Sequence, residues 1–63
     1  MEPEEEFLNH KVDVSKLDGF HLYGVLKKIE QHGIWLQTNR ELSFISFNNI
    51  REIRLDRRQE GYR

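Results

Sequence analysis

Three histidines, at His10, His21 and His32, are the residues of this sequence best suited to metal binding or proton transfer. They follow one another at intervals of eleven residues, which fits neither the spacing of ligands on a helix nor that on a strand. We therefore interpret each as a surface or turn residue rather than a metal ligand. The absence of cysteine excludes disulfides and thiolate metal sites.

The acidic residues of the middle of the chain are the other candidates for catalysis. Asp13, Asp18 and Glu30 fall at strand or turn positions with lysines nearby, so we expect ordinary surface ion pairs. No motif places a nucleophile or a second carboxylate beside a base, as acid–base or covalent catalysis requires. The sequence thus indicates neither an enzyme, a metal site nor a cofactor.

Charge is unevenly distributed along the chain, although the net charge is only −1. Residues 1–6 carry four glutamates, and residues 51–63 carry five arginines against three carboxylates, so the chain beyond residue 6 is +3. This balance is compatible with a polyanionic partner but equally with a solvated tail of mixed charge. No apolar run is long enough to cross a membrane and the start is acidic, so we expect a cytoplasmic protein.

Such a short chain, 63 residues long, holds one domain and buries little surface alone, which favours oligomerisation as an added source of stability. Alternating apolar residues and turn signals predict a small antiparallel barrel. Its five strands are expected at residues 11–17, 20–29, 34–38, 42–47 and 50–55.

Within these strands, single residues carry further expectations. Gly24 is expected to mark a bend or a close backbone approach. Phe20 should share a side with Leu22, and Ile34 and Leu36 should face the core. Trp35 alternates with the last two, and two readings of it stay open: an outward contact surface, or core filling through strand curvature.

Outside the strands, the sequence divides into an acidic flexible head at residues 1–6, a domain at residues 7–56 and a flexible charged tail at residues 57–63. Pro3 and the glutamates favour one or two helical turns between Glu4 and His10. The tail has no apolar periodicity.

Two stretches resemble the signatures of the Sm family, including its Hfq-like members. Leu17 to Leu36 has an Asp-Gly turn, a strand with an interior glycine, an acidic loop and a further apolar strand at the family's spacing. Phe44 to Ile53 is similar to the second signature, which ends in an Ile-Arg-x-Ile pattern. Phe7 to Asn9 echoes the start of the Hfq-like helix. The resemblance covers residues 7–55.

This resemblance implies a mainly β fold, in which a short N-terminal helix precedes a strongly bent five-stranded antiparallel Sm-like (SH3-like) barrel. It further implies a hexameric or heptameric ring closed by pairing the fourth strand of one subunit with the fifth of the next. That closure would cover two open sheet edges. The family holds RNA at the pore with two loops, which correspond here to residues 30–33 and 47–49.

The site residues implied by these loops are uncharged apart from one arginine. Ser46-Phe47 stands where Sm proteins have Arg-Gly and Hfq-like proteins have Lys-His. The remaining groups can hydrogen-bond or stack on bases. They are Gln31, His32, Asn48 and Asn49, with Arg51 in the second signature. An alternative for Asn48 and Asn49 is that they only form a turn.

Two functions follow from these features. The first is a ring-forming module that binds single-stranded RNA in post-transcriptional regulation. The alternative is an oligomeric protein-interaction scaffold that kept the ring and lost RNA binding, with Trp35 or the ring faces as its contact surface.

Overall fold

The computed structural model describes residues 5–56, in which five strands form one antiparallel sheet. The strands are β1 (Lys11–Lys16), β2 (His21–Ile29), β3 (Gly33–Gln37), β4 (Leu42–Ser46) and β5 (Ile50–Leu55). Their order across the sheet is β4-β3-β2-β1-β5. The five predicted strands are confirmed, with boundaries that differ by at most one residue.

β2 is the long strand that gives the sheet its bend. Its first half pairs with β1, from Ser15↔His21 to Lys11↔Val25, and its second half pairs with β3, from Val25↔Gln37 to Ile29↔Ile34. A shift in register between Leu26 and Lys28 adds a bulge to the second half. The strand therefore belongs to both halves of a curved sheet.

Gly24 lies where β2 passes from one partner to the other. A Cβ atom at this position would overlap the carbonyl oxygen of Gln37 and lie 3.2 Å from Cγ of Leu36. The prediction of a close backbone approach is confirmed, because only glycine leaves room for β3 at this point.

The core consists of aliphatic side chains from all five strands. Ile34 and Leu36 are fully buried as predicted. The other buried aliphatic residues are Val12, Val14, Leu26, Ile45, Ile50 and Ile53. The expectation for Phe20 was wrong: β2 begins one residue later, and Phe20 is 71% exposed.

The predicted N-terminal helix is reduced to a single 3-10 turn at Glu5–Phe7. After this turn the backbone leaves helical geometry, with Asn9 at φ 68°. The amide of Asn9 donates to the carbonyl oxygen of Leu26 at 2.7 Å, and the amide of Leu26 donates to that of His10 at 3.1 Å. These bonds to β2 replace the bonds that would extend a helix, whose nucleation is costly in so short a segment.

The terminal segments fall largely outside the described residues. Of the head predicted at residues 1–6, only Glu5 and Glu6 are described, and both are exposed in the 3-10 turn. Residues 57–63 lie outside the described range, so the domain limits and the flexible tail stay predictions. No helix within residues 5–56 is long and apolar enough to cross a membrane.

Candidate nucleic-acid interface

Two loops at one end of the sheet carry the predicted site residues, and the fold brings these loops together. The β2–β3 loop, residues 30–32, is closed by a hydrogen bond from the amide of Glu30 to the carbonyl oxygen of Gly33 at 2.8 Å. The β4–β5 connection is a second 3-10 turn, Phe47–Asn49. The amide of Phe47 donates to the carbonyl oxygen of His32 at 2.9 Å. The two loops are thus joined by backbone.

The predicted site residues are all on the surface of this end. Gln31, His32, Asn48 and Asn49 are exposed, and so is Arg51 at the start of β5. Arg51 lies at an irregularity, because Ile50 pairs with Lys16 and Glu52 with Ser15, which leaves the residue between them without a partner in β1. The bulge gives Arg51 a direction that regular pairing would not.

The Phe47–Asn49 turn is built by residues other than its asparagine side chains. Ser46 caps it, because its Oγ accepts a hydrogen bond from the amide of Asn48 at 3.2 Å. The amide of Ile50 closes it on the carbonyl oxygen of Phe47. Neither Asn48 nor Asn49 has a positive φ, and within residues 5–56 neither side chain makes a hydrogen bond. The turn as described therefore does not require asparagine.

Gly33 fixes how close the two loops come. A Cβ atom there would overlap the carbonyl oxygen of Ile45 and lie 2.6 Å from Cζ of Phe44. Gly33 pairs with Ser46 in the sheet, so the glycine lets β4 pass directly under the end of the β2–β3 loop. The sequence alone predicts Gly33 only as the end of the loop at residues 30–33.

Side chains next to the β2–β3 loop, on the surface of β2 and β3, contact its first residue, Glu30. The indole Nε1 of Trp35 donates to Oε2 of Glu30 at 3.1 Å, and Nζ of Lys28 lies 3.5 Å from the same oxygen. Trp35 also packs on Phe44, with ring centroids 5.2 Å apart and planes at 57°. Trp35 is half-buried on the side opposite Ile34 and Leu36, so it does not fill the core, and its role as a contact surface stays a prediction. The contact depends on the register of the hairpin, Lys28↔Trp35, which follows a shift in pairing and is not readable from the sequence.

His21, the first residue of β2, lies in a polar group with side chains of β1 and β2. Nδ1 of His21 lies 2.7 Å from Oδ1 of Asp13 and 3.5 Å from Oγ of Ser15, and its ring stacks on Tyr23 at 6.0 Å. Asp13 thus pairs with a histidine rather than with a lysine as expected. A proton relay needs the carboxylate and the hydroxyl on opposite ring nitrogens, whereas here both face Nδ1. Among residues 5–56 no group of three or more histidines and carboxylates is placed to hold a metal ion.

Comparison with known proteins identifies the fold. No family model matches the sequence, and no curated relative matches it. Among solved structures, the chain is similar to that of the pleiotropic translational regulator Hfq, with a TM-score of 0.76 and 23% sequence identity. The match covers 81% of this chain and 88% of the other. The chain has an Sm-like fold of the Hfq type, as the sequence resemblance implied.

Proposed function

We propose that this Sm-like chain closes into a homo-oligomeric ring and binds single-stranded RNA around its pore, as part of post-transcriptional regulation. The likeness to Hfq, a translational regulator, supports the regulatory role. The contact between Phe47 and His32 is the observation that carries the proposal. It holds two exposed loops, each rich in amide or imidazole groups, side by side in every subunit.

The two edges of the sheet support ring closure. Within residues 5–56, β4 pairs only with β3, and β5 pairs only with β1. Proteins usually protect an open edge with charged residues or proline, but β4 has the sequence Leu-Ser-Phe-Ile-Ser and contains neither. Pairing β4 of one copy with β5 of the next would cover both edges. Repeated around an axis, this head-to-tail contact generates a closed ring.

Hydrogen-bonding capacity at the joined loops supports RNA as the ligand. Gln31, Asn48 and Asn49 present amides that can both donate to and accept from base edges, and His32 adds a ring that can stack. One amide pair contributes about 1 kcal/mol, too little to hold a nucleotide. Several copies around one pore engage successive bases of one strand, and linked contacts add through effective concentration.

A titration with short RNAs tests this function directly. Fluorescently labelled uridine-rich and adenine-rich oligonucleotides are titrated at two salt concentrations, alongside light scattering coupled to size exclusion. We expect a ring mass and binding that weakens only modestly with salt, since the contacting groups are mainly uncharged. A ring that binds neither oligonucleotide at low salt would refute the RNA function while leaving the ring intact.

The scaffold alternative has its own observation in the outward face of β3 and β4. Trp35 and Phe44 form a packed aromatic pair there. Phe44 is 43% exposed, and its neighbour Leu42 is 50% exposed. Exposed aromatic side chains on a rigid sheet are typical protein contact residues. An intact ring without RNA affinity would favour this function.

A further inference from the structure

A groove on the outside of the sheet extends from Asp56, the last described residue, to the hairpin between β3 and β4. It has a volume of about 980 Å³. Residues of β1 and β2 line it, among them Lys11 and Tyr23, and so do residues 37–41 of the hairpin. Its lining includes no residue of the loops at 30–32 and 47–49, so the RNA site proposed above does not use this groove.

One row of neighbouring residues crosses four strands along the groove. The amide of Asp56 donates to the carbonyl oxygen of Lys11 at 2.9 Å. Lys11 pairs with Val25, and Val25 pairs with Gln37. The residue that follows Lys11 and the residue that follows Val25 are both fully buried, so Lys11 and Val25 point away from the core. Since neighbouring strands lie about 4.8 Å apart, the row from Asp56 to Gln37 is about 14 Å long.

Both sides of the groove are held in place by contacts within the domain. On the hairpin side, Oγ1 of Thr38 accepts hydrogen bonds from the amides of Arg40 and Glu41 at 3.1 Å and 3.2 Å. On the β2 side, the ring of Tyr23 stacks on that of His21, with centroids 6.0 Å apart and planes at 13°. A ligand of this groove therefore loses little free energy to the ordering of the site.

The lining combines charges of both signs with an aromatic ring. Two cations, Lys11 and Arg40, stand beside two carboxylates, Glu41 and Asp56, whereas RNA-binding surfaces have an excess of cations. Tyr23 is 39% exposed and offers an apolar surface among these charges. The groove thus fits a peptide segment that carries an aromatic side chain and charges of both signs.

We propose that the groove binds residues 57–63 of the same chain, which directly follow Asp56. This segment has the sequence Arg-Arg-Gln-Glu-Gly-Tyr-Arg. An extended chain of this length reaches about 23 Å, which exceeds the row of about 14 Å from Asp56 to Gln37. The segment can therefore cover the whole groove. This inference depends on neither the ring nor the RNA site proposed above.

Tyr62 is the anchor of the segment, because it is the one aromatic residue among residues 57–63. It follows Asp56 by six positions and so has a reach of about 20 Å, enough to bring its ring onto the exposed ring of Tyr23. Glu60 lies two positions before Tyr62, where its carboxylate can approach the cations of the groove. The segment otherwise carries three arginines, which the carboxylates of the groove can attract.

Covalent connection favours the chain's own segment over a separate partner. Asp56 belongs both to the groove and to the start of the segment, so docking is intramolecular. Short connections of this kind give effective concentrations in the millimolar range. One aromatic contact and a few exposed ion pairs, too weak to hold a separate peptide, are then sufficient.

Docking makes the charge of the segment conditional. Arg57 and Arg58 held beside the carboxylates of the groove attract a polyanion less than the same residues in solvent do. Displacement of Tyr62 would release both arginines together. The groove would thereby control how far the most basic part of the chain contributes to nonspecific binding of polyanions.

Amide NMR spectra of the full-length protein test this docking. Tyr62→Ser removes the anchor and changes no residue of the described domain. We expect the variant to shift the amide signals of Tyr23, Val25 and Arg40, and to leave that of Gln31 in place. Cleavage of the native protein by trypsin gives a second readout, and cleavage after Arg57 should be several-fold faster in the variant than in the parent.

Two further variants make the test specific. Gln59→Ser is the matched control, because it alters the same segment and removes neither its aromatic ring nor a charge. Its groove signals and its rate of cleavage after Arg57 should equal those of the parent. Tyr23→Ser changes the groove instead of the segment, and should accelerate cleavage as much as Tyr62→Ser does.

The results distinguish the possible occupants of the groove. Unchanged groove signals and an unchanged cleavage rate in Tyr62→Ser would overturn the docking. Isotope-labelled Tyr62→Ser chains mixed with unlabelled parent chains reveal the source of the segment, and groove signals restored by the mixing would assign it to a neighbouring subunit and overturn docking within one chain. Groove signals that ignore Tyr62→Ser but move on addition of a short RNA would make the groove a nucleic-acid surface instead.

Discussion

The indole nitrogen of Trp35 donates a hydrogen bond to the carboxylate of Glu30 at 3.1 Å, across the hairpin that carries Gln31 and His32. The β2–β3 loop is thus held by a side chain from the strand that follows it. Positioning of this kind matters for a proposed site of weak, uncharged contacts, because each contact must be ordered before it can contribute.

Trp35→Phe is expected to loosen the β2–β3 loop without unfolding the chain. The substitution removes the hydrogen bond to Glu30 but leaves a ring to pack on Phe44. RNA affinity should fall several-fold, and amide exchange at Gln31 and His32 should accelerate. Lys28→Gln is the control, since the exposed ion pair to Glu30 contributes at most about 1 kcal/mol. Equal losses of affinity in both variants would contradict a specific role for the indole.

Replacing Gln31 and Asn48 together by alanine should remove RNA binding with a shallow salt slope. Both residues are exposed in loops, so the melting temperature should change little. The comparison variant replaces Arg57 and Arg58, which lie outside the described residues. If that variant loses binding and the Gln31, Asn48 variant does not, the basic tail is the RNA surface. The slope of the logarithm of the affinity against the logarithm of the salt concentration measures how many phosphates the protein neutralises, so it distinguishes charged from uncharged contacts.

Gly33→Ala should destabilise the protein by roughly 1–3 kcal/mol, a usual cost of overpacking. The new methyl group would meet the backbone carbonyl of Ile45 and the ring of Phe44, and the backbone cannot move without disturbing β4. Gly19→Ala is the matched control, because no atom lies within 4 Å of the added methyl group and only the positive φ opposes it. That strain is on the order of 1–3 kcal/mol. Urea denaturation should rank Gly33→Ala as the more damaging substitution, because only this methyl group overlaps backbone atoms of another strand.

Ile53→Asp should destabilise the fold of the chain and thereby abolish the ring. Ile53 is 7% exposed and pairs with Val14 in the sheet, so the variant buries an unpaired charge at a cost of several kcal/mol. Arg54→Asp adds a carboxylate at the adjacent position, where the side chain is 63% exposed. Light scattering should show the ring mass for the Arg54 variant and not for the Ile53 variant. A ring formed by the Ile53 variant would show that ring assembly does not need an intact core at this position.

Removal of the N-terminal charge should strengthen RNA binding at low salt. Glutamine at positions 2, 4, 5 and 6 removes four negative charges and leaves the remaining chain at +3. This full-length variant avoids deleting Glu5, whose carbonyl oxygen accepts from the amide of Leu8 at 3.0 Å. The gain should vanish at high salt, where long-range attraction is screened. Unchanged affinity at low salt would show that the glutamates do not shield the RNA surface.

Strand positions could be predicted because the sequence carries a two-residue apolar period. Ile34 and Leu36 are fully buried where that period places them, and Gly24 interrupts β2 at the expected close approach. Phe20 fits the two-residue apolar period of β2 but lies outside that strand, because the turn formed by Asp18 and Gly19 includes it. Periodicity does not report where pairing begins.

The candidate site was predictable only as far as its loops were. Which side chains support those loops depends on contacts across the hairpin, such as Trp35 with Glu30, and on the packing of Phe44 over Gly33. Neither contact leaves a periodic signal. Pro3 and the glutamates favour a helix in the N-terminal segment, yet its bonds to Leu26 decide its conformation, and those form only once β2 is in place.

The strand order has a consequence for synthesis on the ribosome. Among β1 to β4, each strand pairs with the next in sequence, so these pairs can form as soon as both strands have left the ribosome. The second partner of β1 is β5, the last strand, so Val14 can pair with Ile53 only when synthesis of the domain is nearly complete. Contacts of such long sequence separation slow folding. Until translation passes β5, the nascent chain exposes the β1 edge in addition to the uncharged β4 edge. Chains of this protein truncated before residue 50 should therefore be cleaved by proteases more readily than the full chain.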